Sequence, residues 1–314
     1  MKCVLRPMAV VSVFLLLAGC VSTDDTVSLP TADEITLPAQ AEISVPVQKV
    51  FYGEDGGDTL SGLCALPLLE YTVSDPENTA GHDTAATDHY FGRSEDGSVH
   101  EFSRRFQQHF DEKQLDAKVF DSRTDKKRIY LTFDCGYENG NTAKILDVLK
   151  EKGVPAAFFC TLHEIKTAPD LIARMIREGH TVGNHSVTHA DFTTLTRTQM
   201  AEEIMGFDDY MRQNFGYSAL FFRFPEGRYS DNAVALADSL GFSCLFWSAA
   251  YADWDVNKQK GADFALQQVT SQLHPGMILL LHSVSADNAA AMADIIDAAR
   301  AQGYVFCALE EMYN

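Results

Sequence analysis

The chain has 314 residues, of which 46% are hydrophobic, and it carries a formal net charge of −19 at pH 7. A chain of this length and hydrophobicity can form one large domain with additional segments. The acidic charge argues against nucleic acid as a partner, because phosphate binding needs a basic surface, and it disfavours adsorption to anionic lipid. Neutral or cationic polymers are easier partners, although the charge can also serve only to keep an exported protein soluble.

The first twenty residues have the pattern of an export signal. Lys2 and Arg6 precede an apolar run, from Met8 to Ala18, that is too short to span a bilayer. Small residues then precede Cys20, which resembles a bacterial lipoprotein signal whose cysteine receives a lipid and becomes the mature N-terminus. The alternative is an ordinary secretory signal with a coincidental cysteine. We favour the lipoprotein, and so expect an extracytoplasmic protein anchored to a membrane through Cys20.

Residues 21–88 are predicted to form an acidic, proline-containing tether. Residues 21–60 contain eight acidic side chains and one basic side chain, and such a segment cannot bury enough apolar surface to fold alone. We therefore expect this tether to be disordered. Residues 61–88 are ambiguous, the alternative being that Leu63–Leu69 packs on another part of the chain. Residues 89–128 are mixed in character, with an amphipathic stretch near 102–110, and we expect them to be a lead segment that packs on the main domain at 129–314.

From residue 129 onwards, predicted strands alternate with predicted helices. Apolar runs predict seven strands, at Ile129–Phe133, Val154–Cys160, Thr181–Asn184, Leu220–Phe222, Phe242–Trp247, Met277–Leu281 and Tyr304–Cys307. Helical spacing occurs between them, at Thr142–Lys152, Pro169–Glu178, Thr198–Asn214, Asn232–Leu240, Phe264–Leu273 and Asn288–Gln302. This alternation predicts a parallel sheet with right-handed crossovers. An open doubly wound sheet also fits, but we expect a distorted (β/α)7 barrel, because the residues that follow five strands would have to converge.

Polar residues that follow two of these strands are candidates for metal-assisted hydrolysis. Asp134 follows the first strand and can act as a general base, unless it only caps the loop or binds an arginine. His185 and His189, four residues apart after a short strand, can close on one divalent ion. Zinc, cobalt or nickel would suit such nitrogen ligands, whereas single exposed histidines often have no role.

Two further strand ends carry titratable side chains. His282 follows five apolar residues and must find water or a partner there. It can act as a general acid that protonates a leaving amine, or it can be a structural histidine bonded to a backbone carbonyl. Arg223 also follows a strand and can orient a carboxylate, the alternative being a surface salt bridge of little consequence.

Aromatic residues cluster after the fifth strand, together with Asp253. Trp247, Tyr251 and Trp254 can stack on sugar rings if their faces are exposed. The alternative is ordinary packing in the core.

These segments, in this order, resemble the motifs of the polysaccharide deacetylases of carbohydrate esterase family 4, also known as the NodB-homology domain. The matching segments are Thr132-Phe133-Asp134-Cys135-Gly136, His185-Ser186-Val187-Thr188-His189, Arg223-Phe224-Pro225-Glu226-Gly227, Asp253-Trp254 and Leu280-Leu281-His282. Two departures stand out: Cys135 replaces the second acid of the first motif, and Ala250 replaces the first acid of the fourth. The string at 136–140 and the run at 246–256 resemble one branch in particular, the sporulation-type de-N-acetylases that act on peptidoglycan muramic acid in δ-lactam synthesis.

The resemblance implies a hydrolase that removes acetyl groups from N-acetyl sugars with a divalent metal ion, most often zinc. It implies that Asp134 is the base, His282 the acid, and His185 and His189 the metal ligands. Asp253 and Arg223 would hold and tune the acid and the base. The remaining implied positions contact substrate: the backbone N–H of Tyr137 at the oxyanion, Leu280 and Trp254 at the acetyl pocket, and Pro225 and Gly227 in the third motif.

Cys135 stands where most of the family has a metal-binding aspartate. A thiolate there could be a third ligand, which zinc accepts readily. A neutral thiol would instead leave the ion to two histidines and water. The related branch often has asparagine at this position, which favours the weaker site.

The expected function is therefore removal of acetyl groups from peptidoglycan, with N-acetylmuramic acid as the target sugar. A deacetylase of chitin oligomers, an exopolysaccharide or acetyl-xylan is the alternative among enzymes. A sugar-binding lipoprotein that lost catalysis with its metal acid is the alternative from another class. Retention of Asp134, both metal histidines and His282 opposes that last alternative.

Overall fold

The computed structural model of the protein describes residues 65–313. The expected signal peptide, Cys20 and residues 21–64 of the expected tether lie outside this range. The strands are β1 (Thr87–Asp88), β2 (Ala117–Lys118), β3 (Arg128–Cys135), β4 (Ala157–Cys160), β5 (Thr181–Asn184), β6 (Phe221–Phe222), β7 (Arg228–Tyr229), β8 (Ser243–Leu245), β9 (Met277–His282) and β10 (Val305–Phe306). The α-helices are α1 (Glu101–Lys113), α2 (Thr142–Lys152), α3 (Leu162–Thr167), α4 (Pro169–Arg177), α5 (Arg197–Phe215), α6 (Asp231–Ser239), α7 (Ala262–Thr270) and α8 (Ala286–Ala301).

Eight of the described strands form one parallel sheet that curls into a barrel. The hydrogen-bonded order is β10-β3-β4-β5-β6-β8-β2, and β9 pairs with β3 along six residues. The ring approaches closure where Ala249, just after β8, bridges Leu279 of β9. The predicted (β/α)7 architecture is confirmed, because each of the seven predicted strands is found in this sheet and helices cover its outer face.

The central strand β3 is buried on both of its faces, as expected for a parallel sheet. Side chains alternate along a strand, so Tyr130 packs with the barrel-interior cluster, whereas Phe133 and Cys135 pack with the helix-facing cluster. Thr132 and Asp134 share the interior side with Tyr130. This alternation decides which motif residues can reach the site.

Residues 65–88 depart from the expected tether. The Leu66 N–H donates to the Arg212 carbonyl, Arg197 donates to the Ser74 carbonyl, and β1 pairs with β7. The described part of this segment therefore lies along the domain, and an unpaired tether would have to end before residue 66. Leu69 and Val73 also pack against the helix-facing cluster. Acidic composition reports neither these contacts nor the backbone hydrogen bonds.

The lead segment contributes a helix and a strand to the main domain. Phe110 of α1 is fully buried in the helix-facing cluster, and β2 pairs in parallel with β8. Among residues 65–313, no helix is long and apolar enough to cross a membrane.

The short helix α3 was absent from the predicted elements, because six residues give too little periodicity to detect. Its N-cap is Thr161, whose hydroxyl accepts from the Glu164 N–H. A Thr-x-x-Glu sequence usually completes a capping box, but here the Thr161 N–H donates to the Cys135 carbonyl instead. The Glu164 carboxyl is thus left buried, with no hydrogen-bond partner for either oxygen among the described residues.

This buried carboxyl makes stability depend on pH. Burial, followed by the nearby Glu138 charge, raises the pKa of Glu164 from 4.5 to about 7. The folded state holds the Glu164 proton more tightly than the unfolded state does. The contribution of this carboxyl to the free energy of unfolding is therefore fully present below pH 4.5 and is lost as the pH rises towards 7. We expect Glu164→Gln to raise the free energy of unfolding at pH 8 by about 1–3 kcal/mol, measured by urea denaturation.

The gain should be small at pH 4, where the native carboxyl already carries its proton. Glu151→Gln is the matched control, since Glu151 is an exposed side chain of the neighbouring helix α2. Equal effects of the two substitutions at pH 8 would contradict this account of Glu164.

Candidate active site

The base candidate Asp134 and the acid candidate His282 are neighbours at the carboxyl end of the barrel. In the parallel pairing of β3 with β9, Asp134 and His282 are direct register partners. Both strands end at the same edge of the sheet, so the two side chains lie side by side. Each of them was predicted to follow a strand, and the register of β3 and β9 brings them next to each other.

A buried guanidinium fixes the orientation of Asp134. Arg223 is fully buried, and its Nη1 donates to Asp134 Oδ1 at 2.7 Å. Its other donors reach Thr132 Oγ1 at 3.0 Å and the carbonyl oxygens of Leu245 and Phe246 at 2.9 and 3.3 Å. Since every arm of the guanidinium is bonded, Arg223 is fixed in place and holds Asp134 Oδ1 towards itself. Arg223 is therefore an interior residue, and the alternative of a surface salt bridge is wrong.

The Asp134 carboxyl remains ionised in this setting. Burial alone would raise its pKa, but the Arg223 guanidinium and the nearby His185 and His282 outweigh burial, so the pKa of Asp134 lies below its usual value. Its second oxygen, Oδ2, lies 3.6 Å from His185 Nε2. An ionised carboxylate with one oxygen still directed at the histidines is suited to accept a proton.

The loop that carries His185 and His189 is tightly held. The Asn184 side chain accepts from the Ser186 N–H and donates to the Ile204 carbonyl. Ser186 and His189 adopt left-handed backbone conformations, with φ of 70° and 59°. Such conformations cost about 1–3 kcal/mol each in non-glycine residues and concentrate at functional sites. The loop is thus built to place two imidazoles rather than to minimise backbone strain.

The two imidazoles have the arrangement expected of metal ligands. His185 Nδ1 donates to the Arg223 carbonyl at 2.8 Å, which leaves Nε2 as the unprotonated nitrogen of the neutral ring. Burial lowers the pKa of His185 to about 4, so the neutral form prevails at physiological pH. The His189 ring lies with its centroid 4.9 Å from that of His185 and is exposed. Two such nitrogen donors fit a divalent ion.

Cys135 does not join this pair. Within residues 65–313, no set of three or more His, Cys, Asp or Glu side chains is arranged to hold a metal ion. Cys135 is buried in the helix-facing cluster, where it is the register partner of Cys160 in β4. Of the two alternatives from the sequence, this geometry favours a neutral buried thiol over a thiolate ligand.

The acid candidate His282 is held by Asp253. His282 Nδ1 donates to Asp253 Oδ1 at 2.7 Å, and the His282 N–H donates to Oδ2 at 2.7 Å. Burial would lower the pKa of His282, but the Asp253 carboxylate, with a smaller contribution from Asp134, outweighs it and raises the pKa above 6.5. The Nε2 atom is left to face the site as a proton donor.

The expected substrate-contact residues divide into exposed and buried groups. Trp254 is 58% exposed and its ring lies edge-on to His282 at 5.8 Å, and Tyr137 is 45% exposed. Trp247, by contrast, is only 8% exposed and packs in the barrel-interior cluster, so sugar stacking is wrong for this residue and packing is correct. Its ring also explains Gly227, which has a positive φ and where a Cβ would approach that ring to 2.6 Å.

The other three expected contacts have limited access to solvent. Leu280 belongs to the barrel-interior cluster, and Pro225 is buried. Tyr251 is half-buried, and its hydroxyl donates to Asn288 Oδ1 at 2.5 Å. Sequence reasoning missed Asn184 and Asn288 because the candidates were chosen among ionisable side chains at strand ends. Asn184 ends a strand but does not ionise, and Asn288 lies in a helix.

A buried arginine–carboxylate pair, two histidines and an aspartate-bound histidine at one end of a parallel barrel define a hydrolase-type site. A model of the polysaccharide deacetylase family matches residues 121–245. An uncharacterised 30.6 kDa protein of Geobacillus stearothermophilus is 47% identical over 60% of this chain and 71% of its own length. The peptidoglycan-N-acetylmuramic acid deacetylase PdaA of Bacillus subtilis is 44% identical over 60% of this chain and 72% of its own length.

The solved structure of Bacillus subtilis PdaA, a family 4 carbohydrate esterase, superposes with a TM-score of 0.70. It is 38% identical, and the alignment covers 73% of this chain and 97% of that one. The chain therefore belongs to the polysaccharide deacetylase family, carbohydrate esterase family 4.

The position of Cys135 gives a prediction about metal affinity. We expect Cys135→Ala to change the zinc dissociation constant by less than about tenfold, because the thiol lies outside the histidine pair. His185→Ala should weaken zinc binding by more than about 100-fold, which is more than is expected from losing a residue that only contacts a metal ligand. Competition titration against a chromophoric chelator measures both constants.

Cys160→Ala is the matched control, since it removes the other buried thiol of the same pair without touching the first motif. A loss of zinc affinity in Cys135→Ala comparable with that in His185→Ala, and absent in Cys160→Ala, would establish a thiolate ligand instead.

Proposed function

We propose that this protein removes the acetyl group from N-acetylmuramic acid in peptidoglycan. The observation that carries the proposal is the register pairing of Asp134 with His282, with His185 beside Asp134. A base, an acid and a metal-type histidine pair then face one another at a single rim. The similarity to PdaA, whose name specifies N-acetylmuramic acid, supports the choice of sugar.

The chain's own residues divide the chemistry between two proton transfers. Asp134, ionised and oriented by Arg223, accepts a proton from the attacking water. His282, protonated and oriented by Asp253, donates the proton of Nε2 to the departing nitrogen. The backbone N–H of Tyr137 is proposed to stabilise the negative oxygen that develops at the amide carbon. Acetate and a free amine are the products.

A divalent ion is proposed at His185 and His189, with zinc as the first choice and cobalt or nickel as alternatives. When bound, such an ion supplies Lewis acidity, which polarises an amide carbonyl and acidifies water. The Arg223 carbonyl that fixes the His185 tautomer supports this assignment. Trp254, exposed beside His282, and Leu280 are proposed to shape the acetyl pocket.

The product would carry a free amine beside the lactyl carboxylate of muramic acid. Closure of these groups to the δ-lactam that the motif resemblance implies would form an amide bond and release one water. We further propose an extracytoplasmic location, with a lipid on Cys20 as the membrane anchor. The composition of the first twenty residues is the support for this location.

Release of acetate tests the proposed activity. Protein loaded with zinc or cobalt should release acetate from purified peptidoglycan, and a chelator should abolish the release. Asp134→Asn should lower the rate by about 10²–10⁴-fold, the usual contribution of a positioned acid or base. Mass analysis of the digested glycan should show the missing acetyl group on muramic acid.

Asp147→Asn serves as the control, since Asp147 is an exposed acid of α2 remote from the rim motifs. If acetyl groups are missing from glucosamine, or if acetate is released only from chitin oligomers or acetyl-xylan, N-acetylmuramic acid is not the substrate and the sugar identified in that assay takes its place. Glycan binding without acetate release under any metal would support a non-catalytic sugar-binding protein.

The Asp253–His282 pair predicts the alkaline side of the pH profile. The active form needs protonated His282, whose pKa is raised by Asp253, so kcat/KM should persist above pH 6.5 and fall at higher pH. We expect Asp253→Asn to move this alkaline limb down by about one pH unit and to lower the maximum by about 100-fold. Asp263→Asn, which removes one exposed charge on α7, should leave the limb in place. An unmoved limb in Asp253→Asn would show that another group titrates there.

A further inference from the structure

The first turn of α8 lies directly behind the acid side of the site. Asn288 is fully buried, and its Nδ2 donates to Asp253 Oδ2 at 2.5 Å. The same amide nitrogen lies 3.3 Å from the His282 carbonyl. One side chain thus contacts both members of the Asp253–His282 pair.

The amide of Asn288 is itself held in one orientation. Its Oδ1 accepts from the Tyr251 hydroxyl at 2.5 Å, so the nitrogen end must point towards Asp253. The backbone N–H of Asn288 donates to Ser285 Oγ at 3.1 Å, which fixes the start of the helix. An asparagine fixed at both ends of its amide cannot rotate to present an acceptor to the carboxylate.

The first turn of α8 also forms hydrogen bonds to the loop that carries Asp253. Asp287 Oδ2 accepts from the backbone N–H groups of Lys260 and Gly261, at 2.6 and 2.8 Å. Gln259 donates to the Asp253 carbonyl and accepts from the Ser285 hydroxyl. Backbone and side chain of Asp253 are therefore both tied to α8.

The Asp253 carboxylate is buried and lies among donors on every side. His282 supplies two of them, and Asn288 supplies the third. Without the third donor, Oδ2 would keep only the His282 backbone N–H, and the carboxylate plane could turn away from the imidazole. The other charged groups that act on His282 are Asp134 and Arg223, and neither of them contacts Asp253 in the described residues.

We propose that Asn288 is a positioning residue for the general acid, acting through Asp253 to hold the His282 imidazole with Nε2 directed at the leaving nitrogen. Tyr251 serves this arrangement by orienting the amide rather than by stacking on sugar. The inference rests on the proposed deacetylation for its catalytic meaning, whereas the Asn288–Asp253–His282 contacts stand independently of it.

Two substitutions at position 288 separate positioning from simple packing. Asn288→Ala removes the hydrogen-bond donor to Asp253. We expect kcat to fall about tenfold or more while KM changes less than about twofold, because the substitution weakens general acid catalysis and leaves substrate binding intact. Asn288→Asp keeps the shape and the acceptor for Tyr251 but sets a second carboxylate against Asp253. Its activity should be low at pH 8 and should recover, relative to the unchanged protein, at acidic pH, where the introduced carboxyl holds a proton that it can donate.

A second readout does not need substrate or metal. The imidazole of His282 can be titrated by NMR in the metal-free protein, with its signal assigned from a His282→Gln sample. The titration midpoint should be lower in Asn288→Ala than in the unchanged protein, because the Asp253 carboxylate no longer stays aligned with the imidazolium.

Asn232→Ala is the matched control, since Asn232 is also a buried asparagine at a helix start, but its side chain accepts from Arg197 and is not bonded to Asp253 or His282. This variant should keep both kcat and the His282 midpoint. If the unchanged protein releases no acetate, the proposed function is refuted. The NMR comparison would still test whether Asn288 holds Asp253 against His282. The positioning role is overturned if Asn288→Ala leaves the His282 midpoint unchanged, or if Asn288→Asp matches the unchanged protein at every pH.

Discussion

The interior of the barrel depends on the interaction of the buried Arg223 guanidinium with Asp134. A fully buried cation is tolerated only when its donors are satisfied and a counter-charge lies close by. Arg223 meets both conditions by bonding Asp134, the Thr132 hydroxyl and two carbonyl groups at the end of β8. Its planar face also lies 4.1 Å from the Phe159 ring centroid. One side chain therefore joins β3, β6 and the end of β8, and Asp134 is the single carboxylate among these partners.

This pairing sets the protonation states around it in opposite directions. The guanidinium keeps Asp134 ionised despite burial, whereas Asp253 favours the protonated form of His282. The register of β3 and β9 places these two groups side by side. The proposed base and the proposed acid thus differ in their electrostatic environment although they are neighbours, and such differences are how neighbouring titratable groups acquire different roles.

Strand periodicity was enough to predict a parallel sheet and the strand-end position of Asp134, His185 and His282. The choice of a barrel over an open sheet needed the further expectation that these residues converge. It could not show which residues support them. Asn288 lies in a helix, and only tertiary structure brings it to Asp253. Trp247 has the composition of a sugar-binding residue, but the barrel interior closes around it. Residues 65–88 were included in the expected tether because composition reports neither their backbone hydrogen bonds nor the packing of Leu69 and Val73 against the helix-facing cluster.

The replacement of the usual metal acid by Cys135 becomes intelligible from the same alternation. Position 135 follows Asp134 on the opposite face of β3, and in this chain that face is packed with Phe133 and Cys160. A small, weakly polar thiol fits such a setting, whereas an ionised carboxylate would be costly there. In the proposed metal site, binding of an ion would depend on how well the two histidines are held before it arrives. They are held by the Arg223 carbonyl on His185 Nδ1, by the Asn184 side chain and by the left-handed backbone of Ser186 and His189. The arginine that orients the proposed base therefore also orients a proposed ligand.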